Sequence, residues 1–281
     1  MNIIRNVREM QCFADAARAA GRRIVLVPTM GYLHEGHASL VREAARRGDE
    51  VVVSIFVNPT QFGPAEDLEA YPRDFERDRA LSEAAGATAI FAPEAEEIYE
   101  PGFQTYVSLE RLPARLCGRS RPVHFRGVAT VVAKLFHIVK PHAAVFGEKD
   151  YQQLLVVRRM VRDLNFDVEI VGGPIVREPD GLAMSSRNTY LSPDERRQAL
   201  SLNRALAEAE ATARDGETDA SRILEAVRAR IAAEPDAEID YVSLVDPETL
   251  DDVSAIRGPV LLALAAKIGR TRLIDNRVLV P

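Results

Sequence analysis

The chain has 281 residues, long enough for one large domain and a smaller second one. Its 47% hydrophobic and 28% charged residues supply a core and a solvated surface, which argues against a disordered protein. The formal net charge of -6 argues against non-specific binding to nucleic acid, because such binding requires a basic surface.

Short apolar runs alternate with longer helical patterns over the first part of the chain. Buried strands are predicted at Ile24–Val27, Val51–Val57, Ala89–Ala92, Ala143–Phe146 and Val168–Val171. Helices are predicted at Ala38–Arg47, Phe75–Ala85, Val128–Val139 and Gln152–Leu164. The alternation predicts an α/β fold with a Rossmann-like, doubly wound parallel sheet, in which ligands bind at the carboxyl ends of the strands.

The pattern changes after Arg177, where a polar stretch leads into a well-marked helix start. Ser192 is the predicted N-cap, Pro193 lies in the first turn and Glu195 completes a capping box. The predicted elements that follow are helices at Pro193–Arg214 and Ala220–Ala233 and strands at Ile239–Val245, Val260–Ala265 and Thr271–Leu279. They indicate a smaller C-terminal α+β cap domain, and we place the domains at 1–175 and 176–281.

A strand-to-helix crossover carries the first candidate site. The segment VPTMGYLHEGHASLV runs from the end of a strand through a Pro/Gly-containing turn to His34 and His37, and then into an amphipathic helix. Gly36 lets the backbone approach a ligand, and N–H groups at a helix start attract phosphates. The two imidazoles can therefore donate hydrogen bonds to phosphoryl oxygens as charge moves onto departing pyrophosphate.

Two other interpretations of this histidine pair stay open at this point. The pair can be a polar loop and helix cap without a function. A zinc site has less support, because the pair lacks the HExxH spacing. The HxGH pattern itself resembles a nucleotidyl-transfer superfamily that includes class I aminoacyl-tRNA synthetases and small adenylyltransferases.

Polar side chains also follow the next strand. Asn58 and Gln61 lie in a loop bounded by Pro and Gly at the carboxyl end of Val51–Val57. The amide of Gln61 offers a donor and an acceptor, so it can hold a substrate with hydroxyl and carboxylate groups without adding charge. Asn58 fits a binding role and an Asx/Pro turn equally well.

A third group follows the strand Ala143–Phe146. Gly147 can contact a sugar through its backbone, Lys149 can neutralise phosphate and Asp150 can accept from a ribose hydroxyl, while Gln153 lies just beyond them. The alternative is a solvated helix cap with a surface ion pair, worth ~0–1 kcal/mol.

The segment AMSSRN, residues 183 to 188, forms the last group. Ser185, Ser186 and Arg187 can wrap the β- and γ-phosphates of a nucleotide. Turns rich in Ser and Arg are common, so this segment gains its weight from the motifs that accompany it.

Taken in order, the motifs VPTMGYLHEGHASLV, FVNPTQF, YPRDFERD, HFRGVATVVAKLF, FGEKDYQQ and AMSSRNTYL resemble the pantothenate synthetase family. The C-terminal segments DYVSLVDPETL and LALAAKIGRTRLIDN are also similar to the small cap domain of that family. The resemblance implies that (R)-pantoate and MgATP give pantoyl adenylate and pyrophosphate. β-Alanine then attacks the acyl carbon and AMP leaves.

The resemblance also implies roles for individual residues. The residues implied to bind pantoate are Met30, Asn58, Gln61 and Gln153. Those implied to bind ATP are Met30, His37, Gly147, Lys149, Asp150, Val176, Met184, Ser185, Ser186 and Arg187. Catalytic roles fall to His34, His37, Lys149, Ser185, Ser186 and Arg187. Asp78, Arg121 and His124 match family positions near the mouth of the site, and the ligands of the metal stay open.

The motifs also bear on three rival functions. A nucleotidylyltransferase acting on a phosphate would share HxGH but would not need Gln61 and Gln153. A non-catalytic nucleotide sensor is disfavoured by the intact set of His34, His37, Lys149 and Arg187. A tRNA synthetase is disfavoured because no anticodon-binding extension or basic surface accompanies the motif.

The expected surroundings of the protein follow from its cysteines and its apolar runs. Cys12 and Cys117 lack the spacing of a metal site or a disulfide framework, which favours a reducing cytoplasm. No segment reaches ~18 uninterrupted apolar residues, so no membrane span is expected. The expected partners are pantoate, β-alanine, ATP and Mg²⁺, with no nucleic acid, and the family resemblance implies a homodimer.

Overall fold

The computed structural model describes residues 1–64 and 66–281, which form two compact units. The first unit consists of Met1–Glu110, Arg121–Glu148 and Gln153–Pro174. The second unit consists of Arg111–Ser120, Lys149–Gln152 and Ile175–Pro281. The boundary between residues 175 and 176, which would divide a catalytic domain from a cap domain, stays a prediction.

The first unit contains a six-stranded parallel sheet. Its strands are β1 (Asn2–Ile4), β2 (Ile24–Thr29), β3 (Glu50–Ile55), β4 (Ala89–Phe91), β5 (Ala143–Gly147) and β6 (Glu169–Gly173). They are arranged in the order β1-β4-β3-β2-β5-β6. This sheet confirms the predicted α/β class, and each predicted strand overlaps one that forms. Sequence patterns did not predict β1, because a strand of three residues is too short to show an alternation.

Helices connect these strands. Those before residue 175 are α1 (Val7–Ala19), α2 (Glu35–Ala45), α3 (Phe75–Ala85), α4 (Ala95–Ile98), α5 (Cys117–Ser120), α6 (His124–Val139) and α7 (Tyr151–Asp163). The predicted starts of α2 and α6 were three and four residues too late. Both missed turns contain a glycine and a histidine, which interrupt the apolar spacing that marks a helix.

The order of the strands reverses between β2 and β5. From β2 the chain moves outward through β3 to β4, and later returns to form β5 and β6 on the other side. The register Val25↔Ala143 places the two strands side by side. Their carboxyl ends, at Thr29 and Gly147, therefore flank the switch point, where sheets of this kind bind their ligands.

Side chains of α2 cover one face of this sheet. Ala38, Val41 and Ala44 are buried and pack in one cluster with Val25 and Val53. Burying a valine side chain in this way stabilises the fold by about 1.5–3 kcal/mol. The packing anchors the axis of α2, and it thereby fixes the direction in which the first turn of the helix points.

The second unit contains α8 (Pro193–Arg214), α9 (Ala220–Ala232) and an antiparallel sheet of β7 (Ala237–Val245), β8 (Val260–Ile268) and β9 (Thr271–Leu279), in the order β7-β8-β9. Its core joins apolar residues of both helices and all three strands. The predicted capping box forms, because Ser192 N–H donates to Glu195 Oε2 at 2.8 Å and Glu195 N–H donates to Ser192 Oγ at 3.3 Å. The C-terminal α+β prediction is confirmed. No helix among the described residues is long and apolar enough to cross a membrane.

Candidate active site

The turn that leaves β2 has an unusual backbone. Gly31 and Tyr32 have φ angles of +84° and +50°, both in the left-handed region that L side chains rarely adopt. The hydroxyl of Thr29 donates to the carbonyl of Ser54 at 2.7 Å and accepts from the Gly31 N–H at 3.2 Å. The turn is thereby tied to β3, and it delivers the chain to the start of α2.

The two histidines lie together at the N-terminus of α2. His34 is the N-cap, its N–H donates to His37 Nδ1 at 3.3 Å, and the ring centroids are 4.0 Å apart. Both side chains are half-buried. The first turn of a helix also presents backbone N–H groups and the positive end of the helix dipole. The predicted pairing of two imidazoles with a helix N-terminus is present, an arrangement that suits the binding of phosphate oxygens.

Asp78, at the start of α3, binds the turn that leaves β2. Its carboxylate accepts from the Tyr32 N–H at 2.7 Å and from the Leu33 N–H at 2.6 Å, and only 1% of the residue is exposed. Burial raises the pKa of Asp78, although the two N–H bonds and the nearby Arg77 oppose the shift. The family resemblance implies only a position near the mouth of the site for Asp78.

Met30, Asn58 and Gln61 come together at the ends of β2 and β3. Gln61 Nε2 donates to Met30 Sδ at 2.9 Å, and Asn58 Nδ2 donates to Gln61 Oε1 at 3.0 Å. Asn58 and Gln61 are 1% and 6% exposed. Because a thioether is a weak acceptor, a ligand oxygen can replace it as the partner of the Gln61 amide.

Asn58 has its own hydrogen-bonding groups engaged by the protein. Its Nδ2 also donates to the Gly127 carbonyl at 3.1 Å, and its Oδ1 accepts from the Thr60 N–H, the Thr60 hydroxyl and the Tyr99 hydroxyl. The bond from the Thr60 N–H closes an Asx turn, which was one of the two interpretations of this residue. Its role in binding substrate stays a prediction.

The hydroxyl of Tyr99 donates a hydrogen bond to Asn58, and this bond can be tested. Burial raises the pKa of Tyr99 to about 12, so its hydroxyl remains a donor to Asn58 across the physiological pH range. We expect Tyr99→Phe to lower the free energy of unfolding by ~0.5–1.5 kcal/mol, the contribution of one hydrogen bond. The measurement is the urea unfolding midpoint. Tyr106→Phe is the control, because Tyr106 is 41% exposed, and an equal loss in both variants would contradict the role of the Tyr99 hydroxyl.

Arg121 and His124 hold the main chain of Gln61. His124 Nδ1 lies 3.1 Å from the Gln61 carbonyl oxygen, and Arg121 Nε donates to Glu66 Oε1 at 2.9 Å. Arg121 Nη1 lies 3.3 Å from His124 Nε2, so the three side chains form one chain of contacts. Arg121 and His124 therefore act on the backbone beside the predicted substrate amide.

Gly127 allows α6 to touch the loop that carries Gln61. A Cβ at this position would lie 2.5 Å from the Thr60 carbonyl oxygen and 2.6 Å from both Cα and N of Gln61. Distances this short are incompatible with any side chain, so glycine is required here. The close approach also brings the Gly127 carbonyl within reach of Asn58.

Gly147 and Gln153 lie at the end of β5 and on α7. A Cβ at Gly147 would meet only Leu40 Cδ1, at 3.8 Å, so protein packing alone does not require glycine there. That leaves room for a ligand to approach the backbone. Gln153 is half-buried, and among the described residues no hydrogen bond joins it to Met30, Asn58 or Gln61.

Lys149 and Asp150 belong to the second unit and lie in a 3-10 turn ahead of α7. The Lys149 carbonyl accepts from Asn276 Nδ2 at 2.9 Å, and the neighbouring Asp275 receives two hydrogen bonds from Arg177, at 2.7 and 3.0 Å. Asp275 is 3% exposed, so this is a buried, bidentate ion pair. The ion pair and the Asn276 contact fix β9 to the backbone at Lys149 and at Arg177.

The predicted phosphate-binding segment is also tied down by hydrogen bonds. The Met184 N–H donates to the Val176 carbonyl at 3.0 Å, and Arg187 N–H donates to Ser185 Oγ at 3.3 Å. Asn188 Nδ2 donates to Glu178 Oε1 at 2.7 Å. Ser185 caps a 3-10 turn over Ser186–Tyr190. The second unit thus brings Val176 and Met184 together, with Ser185, Ser186 and Arg187 following directly in the chain.

Nearly the whole chain matches one known protein family. The family model described as Pantoate-beta-alanine ligase matches residues 2–278. The chain belongs to the pantoate-beta-alanine ligase family. Pantothenate synthetase of Desulfatibacillum aliphaticivorans is 60% identical over 281 residues, which cover 100% of both chains. That of Geobacter sulfurreducens is 61% identical over 279 residues, 99% of each chain.

Solved structures of the family show the same architecture. Pantothenate synthetase from Thermus thermophilus is 50% identical, with a TM-score of 0.94 over 100% of both chains. A pantoate-beta-alanine ligase from Francisella tularensis, complexed with beta-gamma ATP and beta-alanine, is 31% identical, with a TM-score of 0.83 over 99% of this chain and 97% of that one. The chain is therefore an ATP-dependent ligase that joins pantoate to β-alanine, as the sequence motifs predicted.

Proposed function

We propose that this ligase works in two steps through an acyl adenylate. A pantoate carboxylate oxygen attacks the α-phosphorus of ATP, the bond to the bridging oxygen breaks, and pyrophosphate leaves. The amine of β-alanine then attacks the acyl carbon, AMP leaves with the former carboxylate oxygen, and the nitrogen loses a proton. The observation that carries the proposal is the histidine pair at the N-terminus of α2, next to the end of β2.

The first unit supplies the acid pocket in this proposal. The Gln61 amide, whose donor end points at Met30, exchanges the sulfur for an oxygen of pantoate. Gln153 binds a second oxygen of the same molecule, and Asn58 supports Gln61 or contacts pantoate itself. These uncharged groups orient the carboxylate without neutralising it, so it keeps its nucleophilicity.

His34 and His37 bind the phosphates on the same unit. Negative charge grows on the bridging oxygen as pyrophosphate departs, and imidazole N–H groups beside a helix N-terminus stabilise that charge. Gly147 lets the nucleotide approach the end of β5. Met30 borders ATP as well as pantoate.

The remaining nucleotide contacts fall to residues that follow β5 in the chain. Lys149, Ser185, Ser186 and Arg187 bind the triphosphate, because a primary amine, two hydroxyls and a guanidinium all donate to phosphate oxygens. Asp150 accepts from the ribose, and Val176 and Met184 border the adenine.

Mg²⁺ enters with ATP in this scheme. Among the described residues no group of three or more His, Cys, Asp or Glu side chains is arranged to hold a metal. Mg²⁺ in nucleotide enzymes is bound mainly by phosphate oxygens and water, which fits a site of this kind. When bound, it neutralises the phosphates and so assists the departure of pyrophosphate.

We also propose that the protein is a cytoplasmic homodimer. The free thiols of Cys12 and Cys117 suit a reducing compartment. The dimer follows from the family resemblance alone, and light scattering tests it by looking for a mass twice the 31.0 kDa of the chain.

The two-step mechanism is tested by separating the steps. We expect folded protein with ATP, Mg²⁺ and pantoate to release pyrophosphate before any amine is present, and to release AMP only when β-alanine is added. The readouts are a pyrophosphate-coupled assay and chromatography of the nucleotides. If pyrophosphate appeared only together with AMP after β-alanine was added, the stepwise order would be wrong.

A further inference from the structure

Asp78 makes contacts that the proposed mechanism does not use. We propose that Asp78 is a positioning residue for the adenylation step, which acts by fixing the turn between Met30 and His34. The inference rests on the proposed two-step mechanism and adds a residue to it. Asp78 lies on α3, far in sequence from the turn, and has no contact with a reacting group in this scheme.

Both oxygens of the Asp78 carboxylate accept hydrogen bonds from the turn. Oδ2 accepts from the N–H of Tyr32 at 2.7 Å, and Oδ1 accepts from the N–H of Leu33 at 2.6 Å. Two bonds to successive peptide groups fix the orientation of both peptide planes. The next residue in the chain is His34, so the orientation of these planes determines the position from which its side chain extends.

The turn needs support from another element because the conformation of its own backbone is unfavourable. Tyr32 is not glycine, yet its φ of +50° lies in the left-handed region. Gly31 precedes it with a φ of +84°, and a Cβ there would lie 3.0 Å from Asp78 Oδ2. Without the carboxylate, the turn is free to relax to an ordinary conformation, which would move Met30 relative to His34.

The environment favours a carboxylate over any other side chain at this position. An amide of the same shape has one acceptor, so its NH₂ would face one of the two N–H groups. The guanidinium of Arg77 lies 4.8 Å from the centre of the Tyr32 ring, which places a positive charge beside the turn as well. Burial raises the pKa of Asp78, while the N–H groups of Leu33 and Tyr32 favour its charged form.

The consequence is specific to one half-reaction. The turn carries Met30 at the acid pocket and His34 at the phosphates, so its geometry sets the approach of the carboxylate oxygen to the α-phosphorus. Misplacement of reacting groups by about 1 Å can lower a rate by about 10²-fold. Attack of β-alanine on the finished adenylate takes place after pyrophosphate has left, and does not depend on that approach.

The test compares Asp78→Asn with the matched control Asp74→Asn. Asp74 is the exposed N-cap of the same helix and accepts from the Arg77 N–H at 3.1 Å, without touching the turn. Each variant is assayed for pyrophosphate release from ATP and pantoate, and separately for AMP release from synthetic pantoyl adenylate with β-alanine. We expect Asp78→Asn to slow the first reaction by about 10²-fold and to leave the second near wild type. Asp74→Asn should leave both near wild type.

An equal loss of rate in both half-reactions of Asp78→Asn would mean that Asp78 only stabilises the fold. Unchanged rates would mean that its hydrogen bonds to the turn are not needed for adenylation. Either result overturns the proposal. If Asp78→Asn does not fold, Asp78→Glu is measured by the same criterion, because it keeps two acceptors but displaces them by one methylene. Wild-type protein that released no pyrophosphate from ATP and pantoate would refute the two-step mechanism itself, before any variant is compared.

Discussion

Removing either histidine at the start of α2 is expected to slow pyrophosphate release by about 10²–10³-fold, the loss typical of one donor to a developing oxyanion. In His34→Ala and His37→Ala the helix N-terminus remains, but one imidazole N–H no longer reaches the departing pyrophosphate. The measurement is single-turnover formation of pantoyl adenylate from ATP and pantoate.

The free energy of unfolding should change much less than the rate of turnover. The bond between His34 N–H and His37 Nδ1 is 3.3 Å long, and its loss in His37→Ala lowers stability by about 0.5–1.5 kcal/mol at most. His137→Ala is the control, since His137 is an exposed residue of α6 whose ring contacts Phe166. Normal adenylate formation in both His34→Ala and His37→Ala would show that the phosphate role is wrong.

Gly127→Ala is expected to raise the KM for pantoate by about 10²-fold, because it displaces the loop that carries Gln61. The new Cβ would overlap the Thr60 carbonyl and the Gln61 backbone, and neither is the flexible end of a side chain. Overpacking of this kind also lowers stability by about 1–3 kcal/mol. The measurement is the dependence of the first half-reaction on pantoate and on ATP, and the KM for ATP should change little.

The control for this effect lies in the same loop. A Cβ at Gly63 would meet only Glu66, with its closest atom Oε1 at 3.5 Å, which is an ordinary contact. Gly63→Ala should therefore bind pantoate as the wild type does. An unchanged KM for pantoate in folded Gly127→Ala would contradict both the rigidity of the loop and the role of Gln61.

The elements that sequence predicted well are those with a long local pattern. The bounds of α3, α8 and β9 agree with prediction to the residue, because periodic apolar residues and clear caps mark them. The helix α1, Val7–Ala19, is not among the predicted helices. A short element such as β1 is stabilised by pairing with β4, which is distant in sequence, and so leaves no local signal.

In the candidate site, too, local patterns could be predicted and contacts between distant parts of the chain could not. The position of His34 and His37 could be predicted, because a strand, a turn and a helix follow one another within one short segment. The support of Gln61 could not, because it depends on Arg121, His124 and Gly127, which lie some sixty positions later. The family resemblance placed Arg121 and His124 near the mouth of the site, whereas Gly127 directly precedes the predicted helix Val128–Val139 and was given no role.

The bonds of Asn58 have a consequence for selectivity. A backbone carbonyl can only accept, so the side chain of Asn58 must present its NH₂ to Gly127. The same NH₂ then requires the oxygen of Gln61, which leaves Gln61 with its NH₂ directed at Met30. A ligand that replaces the sulfur must offer a lone pair, so an oxygen is accepted and an ammonium group is rejected. The polarity of this pocket is thus set by a main-chain carbonyl of α6, which acts through the side chains of Asn58 and Gln61.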